Sequence, residues 1–340
     1  MFEPLRTERL VLRQPVAADA DALFERRNDV EVGRYQSWSL PYPRERVDEL
    51  IRSVTALPGP TSDDWWMATV CTATDDEIVG DIAVHLTWEG RSAEIGFTFA
   101  RAHWGRGYAH EASSAMVAWL FEHNGATRVH AMTHPENDAS GMLLERLGML
   151  YEGRTRGSYW VGDECTDDVL YGMTRADWIE WVGRPRASPL DVRLVEITPE
   201  TVRQVTGLAT HWSQQRFVAP VLRSFAAALY PEPYDGAAVT PWLRAVEADG
   251  ELVAFVMVAL IPGHPPYLWR LSVDRMHQRR GIGDRILDLV IAQCRDWGAS
   301  QLDVSWGEGR GSPRPFYERR GFVPTGRIVD DETEACLQLT

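Results

Sequence analysis

The sequence predicts an α+β fold built twice in succession, and three observations predict it. A glycine loop, "HWGRGYAHE" at residues 103–111, returns as "HQRRGIGDR" at residues 277–285, so that Gly281 follows Gly107 by 174 residues. A second glycine then follows each at nearly the same interval, Gly148 in "LLERLGMLYEG" and Gly321 in "FYERRGFVPTG". Around both pairs the elements come in one order: β-rich meander, loop, helix, strand, short helix. Repetition on this scale means duplicated domains, not a solenoid.

The elements follow from local pattern. In the first half "RLVLRQ" alternates as a strand, and "AADADALFERRN" reads as a helix. The runs "WWMATV", "EIVGDIAVHLTW" and "SAEIGFTFA" are β-rich and bounded by turn residues. A helix from Gly107 sets Ala112, Met116 and Leu120 on one face. A strand "RVHAMTH", a helix "SGMLLERLG" and a hairpin "GSYWVGDECTDDVLYGM" follow. In the second half "LRAVEADGELVAFVMVALI" is a hairpin about Asp249-Gly250. After it come a strand "LWRLSV", a helix "GDRILDLVIAQCRDWG", a strand "QLDVSW" and a short helix "SPRPFYERRG". The stretch "WVGRPRASPL" is rich in proline, glycine and arginine and reads as a linker. Domains are therefore expected at residues 1–180 and 191–340, joined by 181–190.

Composition narrows the function. A chain of 340 residues, 44% hydrophobic and 25% charged, is globular and long enough for two cores. It has no run of 18 apolar residues, and "MFEPLRTERLVLRQP" lacks a signal-peptide core, so no membrane span and a cytoplasmic location are expected. Four cysteines without a CxxC pair, and nine histidines without an HExxH pattern, give no reason to expect a metal. The net charge of −14 argues against nucleic acid as partner and favours cationic ligands. All 35 basic residues are arginine.

In each half a strand runs through a basic glycine loop into a helix. That arrangement aims backbone N–H groups and the positive end of a helix dipole at one spot, where a phosphate or pyrophosphate fits. Arg106, Arg279 and Arg280 add positive charge. A P-loop is excluded because the chain has no lysine, and a dinucleotide fingerprint lacks its third glycine.

These residues resemble the GNAT superfamily of N-acetyltransferases, whose coenzyme-A loop reads Q/R-x-x-G-x-G/A. Gln278, Arg279, Arg280, Gly281, Ile282 and Gly283 fit it throughout. Trp104, Gly105, Arg106, Gly107, Tyr108 and Ala109 fit at Gly107 and Ala109 and depart at Trp104. With "RLVLRQP", "AEIGFTFARAHWGRGYAHEA" and "HPENDAS", the first half resembles ribosomal-protein N-terminal acetyltransferases. With "RFVAP", "LWRLSVDRMHQRRGIG" and "SWGEGRGSPRPFYERRGFVPTG", the second resembles polyamine or diamine N-acetyltransferases.

The resemblance implies acetyl-CoA as co-substrate and direct transfer to an amine. It implies that Tyr317 protonates the leaving thiolate, a position held by Leu144 in the first half. Asn137 and Ser140 match a coenzyme-binding Asn-x-x-Ser, where Ser140 either bonds the thiolate or caps its helix. Glu94, on the strand before the first loop, is the base candidate there. No carboxylate lies on "LWRLSV", and Asp274 either caps the loop or stands beside a water relay. Trp38, Tyr42, Trp65 and Trp66 wall a pocket or fill the core, and the acidic "DDETE" near the end reads as a solvated turn. The expected activity is N-acetylation of a small cationic amine, with a small molecule as partner. Protein N-terminal acetylation, or acetyl-CoA sensing with one inactive lobe, are the alternatives. The oligomeric state is left open.

Overall fold

The computed structural model describes residues 2–61, 64–161 and 163–339. Its contacts divide the chain into two units, Met1–Val182 and Gly183–Thr340.

The first unit is one eight-stranded sheet ordered β1-β2-β3-β4-β5-β6-β8-β7. Its strands are β1 (Leu5–Arg6), β2 (Leu10–Arg13), β3 (Trp65–Thr72), β4 (Ile78–Thr87), β5 (Ser92–Phe99), β6 (Arg128–Thr133), β7 (Leu150–Val161) and β8 (Glu164–Thr174). Its helices are α1 (Ala20–Asn28), α2 (Val30–Gly33), α3 (Arg44–Ala56), α4 (Tyr108–Trp119), α5 (Asp138–Arg146) and α6 (Arg175–Gly183). Helices form where apolar residues recur every three or four positions. Val47, Ile51 and Val54 of α3 are buried, as are Ala112 and Met116 of α4 and Leu120 just beyond it. Gly162, inside the expected last hairpin, lies outside the described residues.

The second unit repeats the plan with seven strands, ordered β14-β15-β13-β12-β11-β10-β9. They are β9 (Val192–Val195), β10 (Thr240–Ala248), β11 (Glu251–Leu260), β12 (Tyr267–Val273), β13 (Gln301–Trp306), β14 (Val323–Val329) and β15 (Glu332–Gln338). With them run α7 (Val202–Gly207), α8 (Val221–Leu229), α9 (Ile282–Asp296) and α10 (Arg314–Arg319). Strands β9 to β15 take the places of β2 to β8 one for one. The hairpin of β10 and β11 turns on Asp249 and Gly250, both at positive φ, as a two-residue turn requires.

Part of the stretch read as a linker is helical. Helix α6 continues through Gly183, and Trp181 is buried in the first unit. An indole with that much apolar area is a poor linker residue. Among the described residues no helix is long and apolar enough to cross a membrane, and no group of acidic, histidine and cysteine side chains is placed to hold a metal.

One feature of each sheet positions the site. Neighbouring strands are antiparallel except β5 with β6 and β12 with β13. The parallel pairing of β5 and β6 stops after Glu94↔His130, and that of β12 and β13 is the single rung Tyr267↔Asp303. Beyond those rungs the strands part, and the glycine loops lie at the far ends of β5 and β12. In the second unit Val258 pairs with Leu268 and Met257 with Arg270, so Trp269 is an extra, bulged residue that helps the sheet open.

Candidate active site

Each loop reaches its helix through the same backbone. Gly107 and Gly281, at φ of +81° and +76°, are the N-caps of α4 and α9, and neither cap is supplied by a side chain. The first helical bonds run from Glu111 N to Gly107 O and from Arg285 N to Gly281 O, so the N–H groups of Tyr108, Ala109, Ile282 and Gly283 lie ahead of the helical ladder. Two residues before each cap the chain again turns left-handed, at Gly105 (φ +76°) and at Arg279 (φ +65°). N–H groups at a helix N-terminus and the dipole behind them suit a pyrophosphate such as that of coenzyme A.

The structure reassigns two motif side chains. Gln278 donates to Val273 O at 3.0 Å and to Gln214 Oε1 at 2.8 Å, so its side chain staples the loop. Arg280 is buried, with Nε on Ala187 O at 2.8 Å and Nη1 on His277 Nδ1 at 2.8 Å. Its charge was expected beside the anion, but the guanidinium is tied into the fold. Arg279 and Arg106 are exposed. Asp274 accepts from Met276 N and Ala209 N, which makes it a cap.

In the first unit one rung crosses the sheet as Trp65↔His85, His85↔Glu94, Glu94↔His130 and His130↔Gly172. Glu94 is half-buried, with Oε2 at 3.9 Å from His130 Nε2. Burial pushes its carboxyl above the usual carboxylate range; His85 opposes this and the charge of Asp168 adds to it. Burial, then Arg128, lowers the pKa of His130 below the usual histidine value. Asp168 is itself buried on β8, raised mainly by that burial, and bonded by Ser158. Trp65 is exposed and stacks on His85 at 5.2 Å, whereas Trp66 is core. Trp38 and Tyr42 instead receive the guanidinium of Arg27. His85 could have been read from the sequence by counting out from the turn at Trp88-Glu89-Gly90. Asp168 carried no local signal.

Asn137, not Ser140, caps α5: its Oδ1 accepts from Ser140 N at 3.2 Å. The Ser140 hydroxyl has no hydrogen-bond partner among the described residues and stays half-buried on the first turn. Leu144 is buried core.

In the second unit the rung of Glu94 is held by Tyr267. Tyr267 pairs with Ala259 and Asp303 as Glu94 pairs with His85 and His130. Its hydroxyl is 2.5 Å from Ser305 Oγ, and Ser305 donates to Glu332. Tyr317 is buried among Trp306, Phe316 and Phe322, and burial raises its phenol above the usual value. The acidic run is divided. Asp330 and Asp331 make the exposed turn, but Glu332 and Glu334 face the fold, where Arg327 holds Glu334. A strand after a turn sends alternate residues inward, which the reading of "DDETE" as a solvated turn overlooked.

Comparison with known proteins agrees with this geometry. Residues 9–150 match the family description "Acetyltransferase (GNAT) domain", and residues 208–322 match "Acetyltransferase (GNAT) family". The N-acetyltransferase YoaA of Bacillus subtilis is 31% identical over 176 residues, 52% of this chain and 98% of its own. The chain belongs to the GNAT acetyltransferase family. It is an N-acetyltransferase with two GNAT domains. The N-acetyltransferase p20 of Bacillus licheniformis is likewise 31% identical over 180 residues, covering 52% of this chain and 99% of that one. A shorter likeness, 30% over 84 residues, joins 25% of the chain to 43% of the Escherichia coli [ribosomal protein uS5]-alanine N-acetyltransferase. GNAT enzymes use acetyl-CoA.

Proposed function

We propose that the protein moves the acetyl group of acetyl-CoA directly to a primary amine of a small cationic acceptor, such as a polyamine, an aminoglycoside-like or peptide antibiotic, or an amine metabolite. The loops about Gly107 and Gly281 hold the coenzyme through the backbone of Tyr108, Ala109, Ile282 and Gly283, with Arg106 and Arg279 adding charge. In the first unit Glu94 takes the amine proton and Ser140 steadies the leaving sulfur, beside Asn137. In the second unit Tyr317 is the acid.

The observation that carries this reading is the rung where β5 and β6 part. Glu94 stands there between two histidines, half-buried and with Asp168 near enough to disfavour its ionisation. A desolvated carboxylate pair attracts an ammonium and draws its proton, as general base catalysis requires. The net charge of −14 favours the same acceptors.

The test is thiol release from acetyl-CoA over a panel of amines, for the wild type, Gly107→Glu and Gly281→Glu. A glutamate repels the pyrophosphate and is strained at positive φ. Loss of separate acceptor sets in the two variants is the expected outcome, and full activity in both would sink the loop assignment. The likeness to the uS5 enzyme favours a second reading, acetylation of protein N-termini. Mass analysis of exposed peptides separates the two.

A further inference from the structure

A primary amine arrives as an ammonium, with a pKa near the roughly 10.4 of lysine, and must lose a proton before it can attack. On the rung where the first unit has Glu94, the second has Tyr267, and a phenol is no base at neutral pH. The Tyr267 hydroxyl lies 2.5 Å from Ser305 Oγ, and the Ser305 hydroxyl donates to Glu332 Oε2. Because the Ser305 proton is committed to the carboxylate, Tyr267 is the donor to Ser305, and its own oxygen is left to accept. Glu332 also repeats a position of the first unit. Thr133 pairs with Val169, Trp306 pairs with Thr333, and the residues just before Val169 and Thr333 are Asp168 and Glu332. Both units thus place a carboxylate from the last hairpin beside the rung where the sheet opens.

We propose that Tyr267, Ser305 and Glu332 form the proton relay that deprotonates the acceptor amine in the second unit, which rests on the reading of that unit as a transferase. Tyr267 is the member that touches substrate, and Ser305 and Glu332 act through it. The ammonium proton passes to the Tyr267 oxygen, the Tyr267 proton to Ser305 Oγ, and the Ser305 proton to Glu332. The freed lone pair forms the N–C bond and the thioester C–S bond breaks. Sulfur takes the proton of Tyr317, which the second proton lost by nitrogen replaces. Glu332 is half-buried and releases its proton to water. One ammonium and one thioester give one amide, one thiol and one proton.

The surroundings fit a conduit. Burial raises the Tyr267 phenol, so it passes a proton on and does not stay ionised. Among the described residues, the charged and titratable groups about the relay include Arg270 of β12, Asp303 opposite Tyr267 on β13, Glu334 of β15 with Arg327 of β14 on it, Arg223 of α8 acting on Arg270, and Tyr317 of α10. Arg270 is lowered by burial, and its Nε has no hydrogen-bond partner among the described residues. Burial first, and then Tyr267 and Glu332, raise the Tyr317 phenol.

The experiment silences the first unit with Gly107→Glu and records kcat and KM against pH for Tyr267→Phe, Ser305→Ala and Glu332→Gln. Spermidine, cadaverine and a tripeptide amide serve as probes. Each variant is expected to lose about 10²-fold or more in kcat at pH 7 with KM for acetyl-CoA unchanged. The deficit should shrink toward pH 10, where the amine deprotonates itself, and Ser305→Thr should restore activity. A deficit that does not change with pH marks a structural role and overturns the relay, as does wild-type kcat in all three. Ser305→Ala keeps the test standing if Glu332→Gln does not fold. If the Gly107→Glu protein binds acetyl-CoA but acetylates no probe, the transferase reading of the second unit falls and the relay with it.

Discussion

Trp104 and Gln278 make the same hydrogen bond. The indole Nε1–H of Trp104 donates to Phe99 O at 2.8 Å, and the amide Nε2–H of Gln278 donates to Val273 O at 3.0 Å. Both acceptors are the last residue of the strand before the loop. The apparent departure from the coenzyme-loop pattern is therefore a substitution of one N–H donor for another. Nearby the match continues, with His103 beside Glu77 at 3.4 Å and His277 beside Glu251 at 3.5 Å.

Trp104→Gln should accordingly leave coenzyme A affinity of the first unit within about threefold, whereas Trp104→Phe, which keeps the ring and loses the donor, should weaken it by about 1 kcal/mol, some fivefold. Calorimetric titration in a Gly281→Glu background reads the first loop by itself. Equal affinity for the two variants would show that the bond does not order the loop.

Glu94→Gln is expected to lower turnover of the first unit by about 10²- to 10⁴-fold and yet to stabilise it at neutral pH. Burial holds the folded carboxyl above its unfolded value, so between the two values the folded state binds more protons. Stability is then lost as pH rises through that window, and the cost persists at pH 7. Glutamine carries no charge to desolvate. Melting curves of variant and wild type should coincide below about pH 4 and separate above it. A variant less stable than wild type at pH 7 would contradict the assignment.

The second unit should be sensitive to acid through His211. Its pKa is lowered to about 4, first by burial and then by Arg275, Arg184 and Arg279. The unfolded chain, with histidine near 6.5, binds the extra proton first, so stability falls as pH drops from about 6.5 toward 4. The full effect is about 3 kcal/mol, reached below pH 4. In His211→Gln the stability of this unit should vary less with pH over that interval, as urea melts at pH 7, 5.5 and 4.5 would reveal. An unchanged slope would mean that His211 charges without cost.

How far the sequence was legible depended on the range of the interaction. The sheet, the two glycine loops and α9 followed from alternation and turn residues, which are local. Gln278 and Arg280 were legible as motif letters but not as staples, because their partners Gln214 and Ala187 lie 64 and 93 residues away. Asp168 and Glu332 were illegible as site residues for the same reason. Each reaches its place through a closing hairpin, and no local pattern tells an inward carboxylate from a solvated one. Tyr267 was hidden differently: the bulge at Trp269 shifts the register by one, so a count from the glycine loop sets Leu268 against Glu94.

The glycines that first revealed the repeat should respond unequally to alanine. Gly148 sits at φ +97°, and a Cβ there would lie 2.3 Å from Trp181 Cγ and 2.6 Å from Cδ1 and Cδ2. Gly321 sits at φ +89° with Leu337 Cδ1 as its nearest neighbour at 3.4 Å, a contact that a small shift relieves. Both alanines pay the left-handed backbone penalty of about 1–2 kcal/mol. Gly148→Ala must also displace a buried indole, which costs about 1–3 kcal/mol more. The first unit should then melt some 5–15 °C lower in Gly148→Ala, and the second unit only a few degrees lower in Gly321→Ala. Trp181→Leu opens the space that the new methyl needs, so Gly148→Ala combined with Trp181→Leu should cost less than the sum of the two single changes. Calorimetry of the four proteins measures that coupling. Additive losses would show that the indole does not abut Gly148, and that α6 is not clamped to the turn after α5.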